Sequence, residues 1–136
     1  MAATGGDIRE VTYNHPTLGS GILHVKGSTD NNYDLGGLRG DDDDDSVTGA
    51  GTNIRKLNQK RWYVELAEVE WDMNNGNQLE LMKALAADPV EATWTFDHIN
   101  STIYGGIGSP VGDLKGNTNA ATFPLKISGG GGLKKI

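Results

Sequence analysis

The stretch Pro-Val-Glu-Ala-Thr-Trp-Thr-Phe-Asp-His-Ile-Asn, residues 89 to 100, decides the fold class of this chain. Its side chains alternate between a mostly apolar set (Ala92, Trp94, Phe96, His98) and a polar set (Glu91, Thr93, Thr95, Asp97). Successive side chains of a strand point to opposite faces, so this alternation predicts a strand with one buried and one solvated face. Pro89 cannot donate to a ladder and stands at the beginning, where that costs least.

Weaker alternation predicts further strands elsewhere in the chain, at Ile8 to Tyr13, Gly19 to Lys26, Trp62 to Trp71 and Thr122 to Ser128. Within the third of these the apolar face slips by one residue. That slip indicates a β-bulge near Ala67, or a strand that leaves one sheet and joins another. Pro124 implies an edge or bulged position in the last strand.

One helix is predicted, from Asn77 to Asp88. Asn77 is a suitable N-cap and Glu80 has the spacing of a capping box. The apolar stripe is Leu81, Met82, Leu85 and Ala86, which we expect to pack across the sheet.

A glycine-rich stretch, Gly106 to Gly112, follows the organising strand. Its spacing matches neither the dinucleotide fingerprint nor a P-loop. We therefore expect a turn that needs positive φ.

Composition bounds the class of protein. The chain has 136 residues, twenty glycines and no cysteine, and aromatic residues make up 7%. We expect a single domain (1–136) of short strands joined by glycine turns, with a long charged loop at about 27–53 and a flexible tail at 128–136. The net charge of −6 argues against a protein that grips phosphates. No leader or membrane-length apolar run is present, so we expect neither a signal peptide nor membrane insertion.

The charged loop contains five consecutive aspartates, Asp41, Asp42, Asp43, Asp44 and Asp45. It has three interpretations: a solvated mobile loop, a calcium loop, or an arm that docks on another subunit. Calcium is disfavoured because contiguous aspartates lack the alternating ligand spacing of an EF-hand.

A basic segment follows this loop, with Arg55, Lys56, Lys60 and Arg61. A nucleic-acid patch is disfavoured because the neighbouring aspartates repel phosphate. We predict that the acidic and basic segments meet between copies, in head-to-tail self-association, since the strand beginning at Arg61 would restrain their meeting within one copy.

The candidates for catalysis are weak. Glu68 and Glu70 share a strand face, but no substrate-stacking cluster lies between them and a solvated face is preferred. The three histidines, His15, His24 and His98, lie in no motif with nucleophile or metal-ligand spacing. We expect no enzyme activity, no cofactor and no bound metal.

The region from Thr93 to Gly112 with Asp113 to Asn117, and the ending from Thr122 to Ile127 with its glycine run, resemble tail tube proteins of contractile-tailed bacteriophages. The resemblance covers roughly the last 45 residues, and its motifs are strand and turn motifs. It implies a mainly β fold, a β-sandwich or half-barrel of antiparallel strands with one flanking helix. It also implies six-copy rings that stack into a hollow tube inside a sheath, in the virion tail, after assembly in the host cytoplasm.

The same resemblance implies as partners further copies of the chain, a sheath protein, and baseplate and tail terminator proteins. DNA would pass through the tube without specific binding. For a bore that releases DNA, the candidate lining is the polar face Glu91, Thr93, Thr95 and Asp97, or that of Glu68 and Glu70. Two other classes stay open: a tube of a related injection or secretion system, and a monomeric carbohydrate-binding β-sandwich that stacks sugars on Trp62, Trp71 or Tyr104.

Overall fold

The computed structural model describes residues 6–41 and 45–136. In this part of the chain there are twelve strands and one helix: Ile8–His15 (β1), Gly19–Leu23 (β2), Asn32–Asp34 (β3), Gly37–Gly40 (β4), Ser46–Val47 (β5), Asn53–Ile54 (β6), Leu57–Lys60 (β7), Trp62–Glu70 (β8), Gln78–Ala87 (α1), Ala92–His98 (β9), Ile103–Val111 (β10), Thr122–Gly129 (β11) and Lys134–Lys135 (β12).

The main sheet has the order β2-β1-β9-β10-β11-β8-β3, with β12 on β10, and its paired strands are antiparallel. Strand β10 changes partner along its length: residues 103–108 pair with β9, and residues 109–111 pair with β11. The sheet thereby folds over one core, in which the Trp62 and Phe96 ring centroids lie 6.2 Å apart. The described strands do not form a closed barrel, because β2 and β3 remain edge strands. The expectation of a mainly β, antiparallel fold with one flanking helix is confirmed.

Strand β9 is central, as its alternation predicted. It pairs with β1 on one side and β10 on the other. Ala92, Trp94 and Phe96 are buried, and the Trp94 indole Nε1–H donates to the Gly108 carbonyl at 2.9 Å. Burying large aromatic side chains contributes most of the free energy of a small core.

The predicted bulge in β8 is confirmed. Val69 lies opposite Phe123 and Leu66 opposite Leu125, so β8 has one more residue than β11 over this interval. The extra residue allows both Leu66 and Val69 to be buried. Pro124 lies at the same irregularity, where its missing N–H is tolerated.

The predicted turn at residues 106–112 was wrong except at its end. Gly106 and Gly108 are part of β10, and only Gly112 in that stretch has a positive φ, of 80°. A Cβ on Gly108 would lie 2.4 Å from the Ser128 carbonyl oxygen, and one on Gly106 would lie 3.0 Å from the Trp62 ring. These glycines therefore allow close packing inside the sheet rather than a reversal of the chain.

The helix forms at the predicted residues, but it is not capped as predicted. Met82 and Leu85 are buried, whereas Leu81 is exposed. Asn77 has a φ of 40° and makes no side-chain cap hydrogen bond. Its Oδ1 instead accepts from the Trp71 indole Nε1 at 2.9 Å, so the side chain ties the helix to the end of β8.

Within the described residues, the long loop predicted at about 27–53 contains β3 and much of a β-hairpin. Strand β4 pairs with β7, and β5 pairs with β6 farther along the same two chain segments. We call residues 37–60 the arm. The glycine-rich tail also differs from the expected flexible segment: Leu133 is buried, and β12 pairs with β10.

Candidate functional site

The base of the arm is held in a fixed geometry. Arg39 donates to both carboxylate oxygens of Asp34, at 2.7 and 3.1 Å, and the Gly36 N–H donates to Asp34 Oδ1 at 3.0 Å. The hydrogen bonds from Arg39 and Gly36 lower the pKa of Asp34. Gly36 has a φ of 66°, which allows the chain to turn sharply from β3 into the arm.

The acidic and basic segments meet within one copy. Asp41 Oδ2 lies 2.8 Å from Lys60 Nζ, and Asp45 Oδ1 accepts from the Lys56 backbone N–H at 3.0 Å. The expectation that the strand from Arg61 would restrain their meeting within one copy was wrong, because the antiparallel hairpin places the two segments side by side. The hydrogen bond from Lys60 lowers the pKa of Asp41.

Not every predicted contact residue joins the acidic segment to the basic segment. Asp42, Asp43 and Asp44 lie outside the described residues. The side chains of Arg55, Lys56 and Arg61 form no ion pair within residues 6–41 and 45–136. Whether these residues contact another copy stays a prediction.

The arm also presents apolar side chains, which the sequence reasoning missed. Leu38, Val47, Ile54 and Leu57 are each more than half exposed. None of the buried apolar residues of the described chain lies between residues 34 and 62. An extended element that exposes apolar groups and adds nothing to its own core is suited to contact with another protein.

The candidate lumen residues fall on two different faces. Thr93, Thr95 and Asp97 share the outer face of β9, and Glu91 is exposed just before that strand. On the same face the Thr12 and Thr95 hydroxyls are hydrogen bonded, and Arg9 pairs with Asp97.

The second candidate set lies on β8, in the other half of the folded sheet. Glu68 lies 3.4 Å from Lys26 Nζ, and Glu70 is exposed. Because both halves turn their inner faces to one core, the outer faces of β9 and β8 point away from each other.

A groove of about 310 Å³ lies beside the bulge of β8 and the turn after β10. Its lining includes three carboxylates (Asp30, Glu65, Asp113), apolar groups (Leu66, Ala67, Val111, Pro124, Leu125) and one cation (Lys126). We call it the acidic groove. Lys126 Nζ lies 3.9 Å from Glu65 Oε1 and 4.6 Å from the Tyr63 ring centroid. The three carboxylates outnumber this one cation, so the lining of the groove stays net negative.

Two of the histidines, His15 and His98, make structural contacts. Buried His15 Nδ1 accepts from the Thr17 and Leu18 backbone N–H groups, and its Nε2 lies 2.9 Å from the Val90 carbonyl. The ring therefore closes the β1–β2 turn against the chain before β9, which no local sequence signal revealed.

A second histidine, His98, belongs to an aromatic cluster. Its Nδ1 lies 2.8 Å from the Thr102 carbonyl, and its Nε2 lies 2.8 Å from the Tyr33 hydroxyl. Tyr104 packs against both rings, at centroid distances of 5.8 and 6.1 Å. The cluster borders a groove of about 460 Å³ that also contains Asn100.

The proposed sugar platforms differ in accessibility. Trp62 is fully buried and presents no stacking face. Trp71 is only partly buried, and a Cβ on Gly116 would lie 2.2 Å from its ring, which shows how closely the turn packs on it. Tyr104 is half-buried and borders a groove, which neither Trp62 nor Trp71 does among the grooves described above.

The remaining observations concern metal binding, membrane insertion and similarity to known proteins. Residues 6–41 and 45–136 contain no group of three or more His, Cys, Asp or Glu side chains arranged to hold a metal ion. The helix of this part of the chain is too short and polar to cross a bilayer. Comparison with family models, with curated proteins and with solved structures finds no significant match.

Proposed function

We propose that this protein is the structural subunit of a hollow tube, the inner tail tube of a contractile-tailed bacteriophage. Copies assemble into hexameric rings, and the rings stack into a conduit that delivers the genome into the host cell. The subunit acts as a wall in the virion tail and has no catalytic role. Its partners are other copies of itself, the surrounding sheath, and the baseplate and tail terminator proteins.

The observation that carries this proposal is the arm. It has four exposed apolar side chains and contributes none of the described core. Strands β2 and β3 also leave unpaired backbone donors and acceptors at the two edges of the sheet. Free edges promote association between chains, and a closed ring pairs or covers them.

We assign the bore to the outer face of β1, β2 and β9. Direct cross-strand partners place hydroxyl and amide side chains at its centre: Thr12, Asn14, Ser20, Thr93 and Thr95. The cation of this face, Arg9, is hydrogen bonded to Asp97. The face of Glu68 and Glu70 instead includes Lys26 and Lys126, and cations retain DNA by displacing its counterions.

Electron microscopy of the purified protein, with sedimentation velocity over a range of concentrations, tests the proposal. We expect rings or tubes with a central channel. A protein that stays monomeric at high concentration would refute it.

The same sample tests the two other classes. A tube of a related injection or secretion system would also form rings, and only its cargo distinguishes it. The carbohydrate-binding alternative is favoured by the groove beside Tyr33 and Tyr104. It predicts a monomer whose fluorescence changes when sugars are added.

A further inference from the structure

One face of the arm combines apolar and basic side chains. Gly40 pairs with Leu57, and a Cβ on Gly40 would lie 3.0 Å from an Arg55 guanidinium nitrogen. Residues two apart on a strand, and residues directly opposite, share a face. Leu38 and Leu57 therefore share the face of Gly40, and the contact with Gly40 places the Arg55 side chain on that face as well. We call Leu38, Arg55 and Leu57 the arm strip, and its leucines are 62% and 52% exposed.

Within residues 6–41 and 45–136 the arm strip has no ion-pair partner. Asp34, Asp41 and Asp45, the described carboxylates nearest the arm base and hairpin, are bonded to Arg39, Lys60 and the Lys56 backbone. Arg55 forms no ion pair within the described residues. A surface of two exposed leucines and one cation is complementary to an apolar surface bordered by carboxylates.

The acidic groove has that chemistry. Val111 and Pro124 supply apolar walls, and Asp30 and Asp113 stand at its margin as exposed carboxylates. Among the four grooves described for this part of the chain, it is the one with more than one carboxylate in its lining.

We propose that the arm strip of one copy docks in the acidic groove of the next copy. The leucines contact the apolar walls, and Arg55 lies among the carboxylates. This inference rests on the proposed function and names the surfaces that join its subunits. Because strip and groove are different surfaces of one chain, the contact is heterologous, and successive copies close into a ring or continue as a stack.

A charge exchange tests this pairing. The arm variant is Arg55→Glu, and the groove variant is Asp30→Lys with Asp113→Lys. Lys83→Glu, an exposed substitution on α1 that changes the net charge as Arg55→Glu does, is the control for the arm variant. Circular dichroism and urea unfolding establish that each variant is folded, and sedimentation velocity with electron microscopy reports assembly.

We expect each single-surface variant to need at least about tenfold more protein to assemble, because a like charge replaces a complementary one. The control should assemble like the wild type. Mixing the arm variant with the groove variant should restore assembly, since each offers the surface that the other needs. Combining both changes in one chain should restore it as well.

The outcomes separate this inference from the proposed function. If the wild type assembles and Arg55→Glu assembles equally well, the docking inference is overturned and the tube proposal stands. If both single-surface variants fail and neither the mixture nor the combined variant recovers, the two surfaces are not partners. If the wild type never assembles, the tube proposal fails, and the docking inference fails with it.

Discussion

Removing the arm should abolish assembly and leave the body folded. Gly37 and Lys60 are direct partners at the arm base, so an Asn-Gly turn can join them in place of residues 38–59. The buried apolar residues of the described chain all lie outside this segment. The deletion therefore removes no described core contact.

The expected change in stability follows from the structure. Shortening the connection from 22 residues to two reduces its closure entropy by about 2 kcal/mol. The ion pairs that are lost, Asp34 with Arg39 and Asp41 with Lys60, are partly solvent-exposed, and such pairs contribute about 1 kcal/mol or less each. We expect the free energy of unfolding to stay unchanged or to rise by up to about 2 kcal/mol.

Urea unfolding followed by tryptophan fluorescence measures stability, and sedimentation velocity measures assembly. A chain with a Gly/Ser linker of equal length in place of residues 38–59 is the matched control. It should lose assembly without the gain in stability. A fall of more than about 2 kcal/mol on deletion would show that the arm belongs to the folding unit, and normal assembly without the arm would refute its proposed role.

Three further predictions concern the core and the aromatic cluster. Trp94→Phe should lower the free energy of unfolding by about 1–3 kcal/mol more than Trp62→Phe, because it removes the donor to the Gly108 carbonyl. The buried Trp62 Nε1 has no hydrogen-bond partner in the described chain to lose, and equal losses in urea unfolding would contradict this. Gly108→Ala should cost about 1–3 kcal/mol in the same assay, because its Cβ would meet the Ser128 carbonyl. Gly130→Ala, with no atom within 4 Å of its Cβ, is the control and should change stability by less than about 0.5 kcal/mol. Burial, with a smaller contribution from Tyr104, raises the pKa of Tyr33 above its usual range. Stability should therefore fall as the pH rises above about 10, the pKa in the unfolded chain, towards the folded value. Tyr33→Phe should reduce this loss of stability between about pH 8 and 11, measured by urea unfolding. If the variant loses as much stability as the wild type, groups other than Tyr33 cause the loss.

The sequence alone determined the elements whose signal is local. Alternation from Ala92 to His98 predicted β9, and the slip near Ala67 predicted the bulge that buries both Leu66 and Val69. The apolar spacing of Met82 and Leu85 predicted the helix. Each of these signals needs only the geometry of a single strand or helix, which neighbouring residues specify.

The tertiary structure decided what depends on distant partners. The glycines of β10 are required by residues far away in the sequence, because the Trp62 ring and the Ser128 carbonyl lie against them. The local sequence shows only the glycines and therefore predicted a turn. The predicted side-chain cap at Asn77 does not form, because the Asn77 side chain accepts a hydrogen bond from the Trp71 indole.

The structure of the arm at the candidate site also depends on residues that are distant in the sequence. Asp41 and Lys60 are 19 positions apart in the sequence, and only hairpin pairing brings their charges to 2.8 Å. That pairing also decides that Arg55 and two leucines share a face. Residue order specifies charge and local periodicity, whereas which surfaces meet depends on long-range strand pairing, and this becomes definite only when the whole core forms.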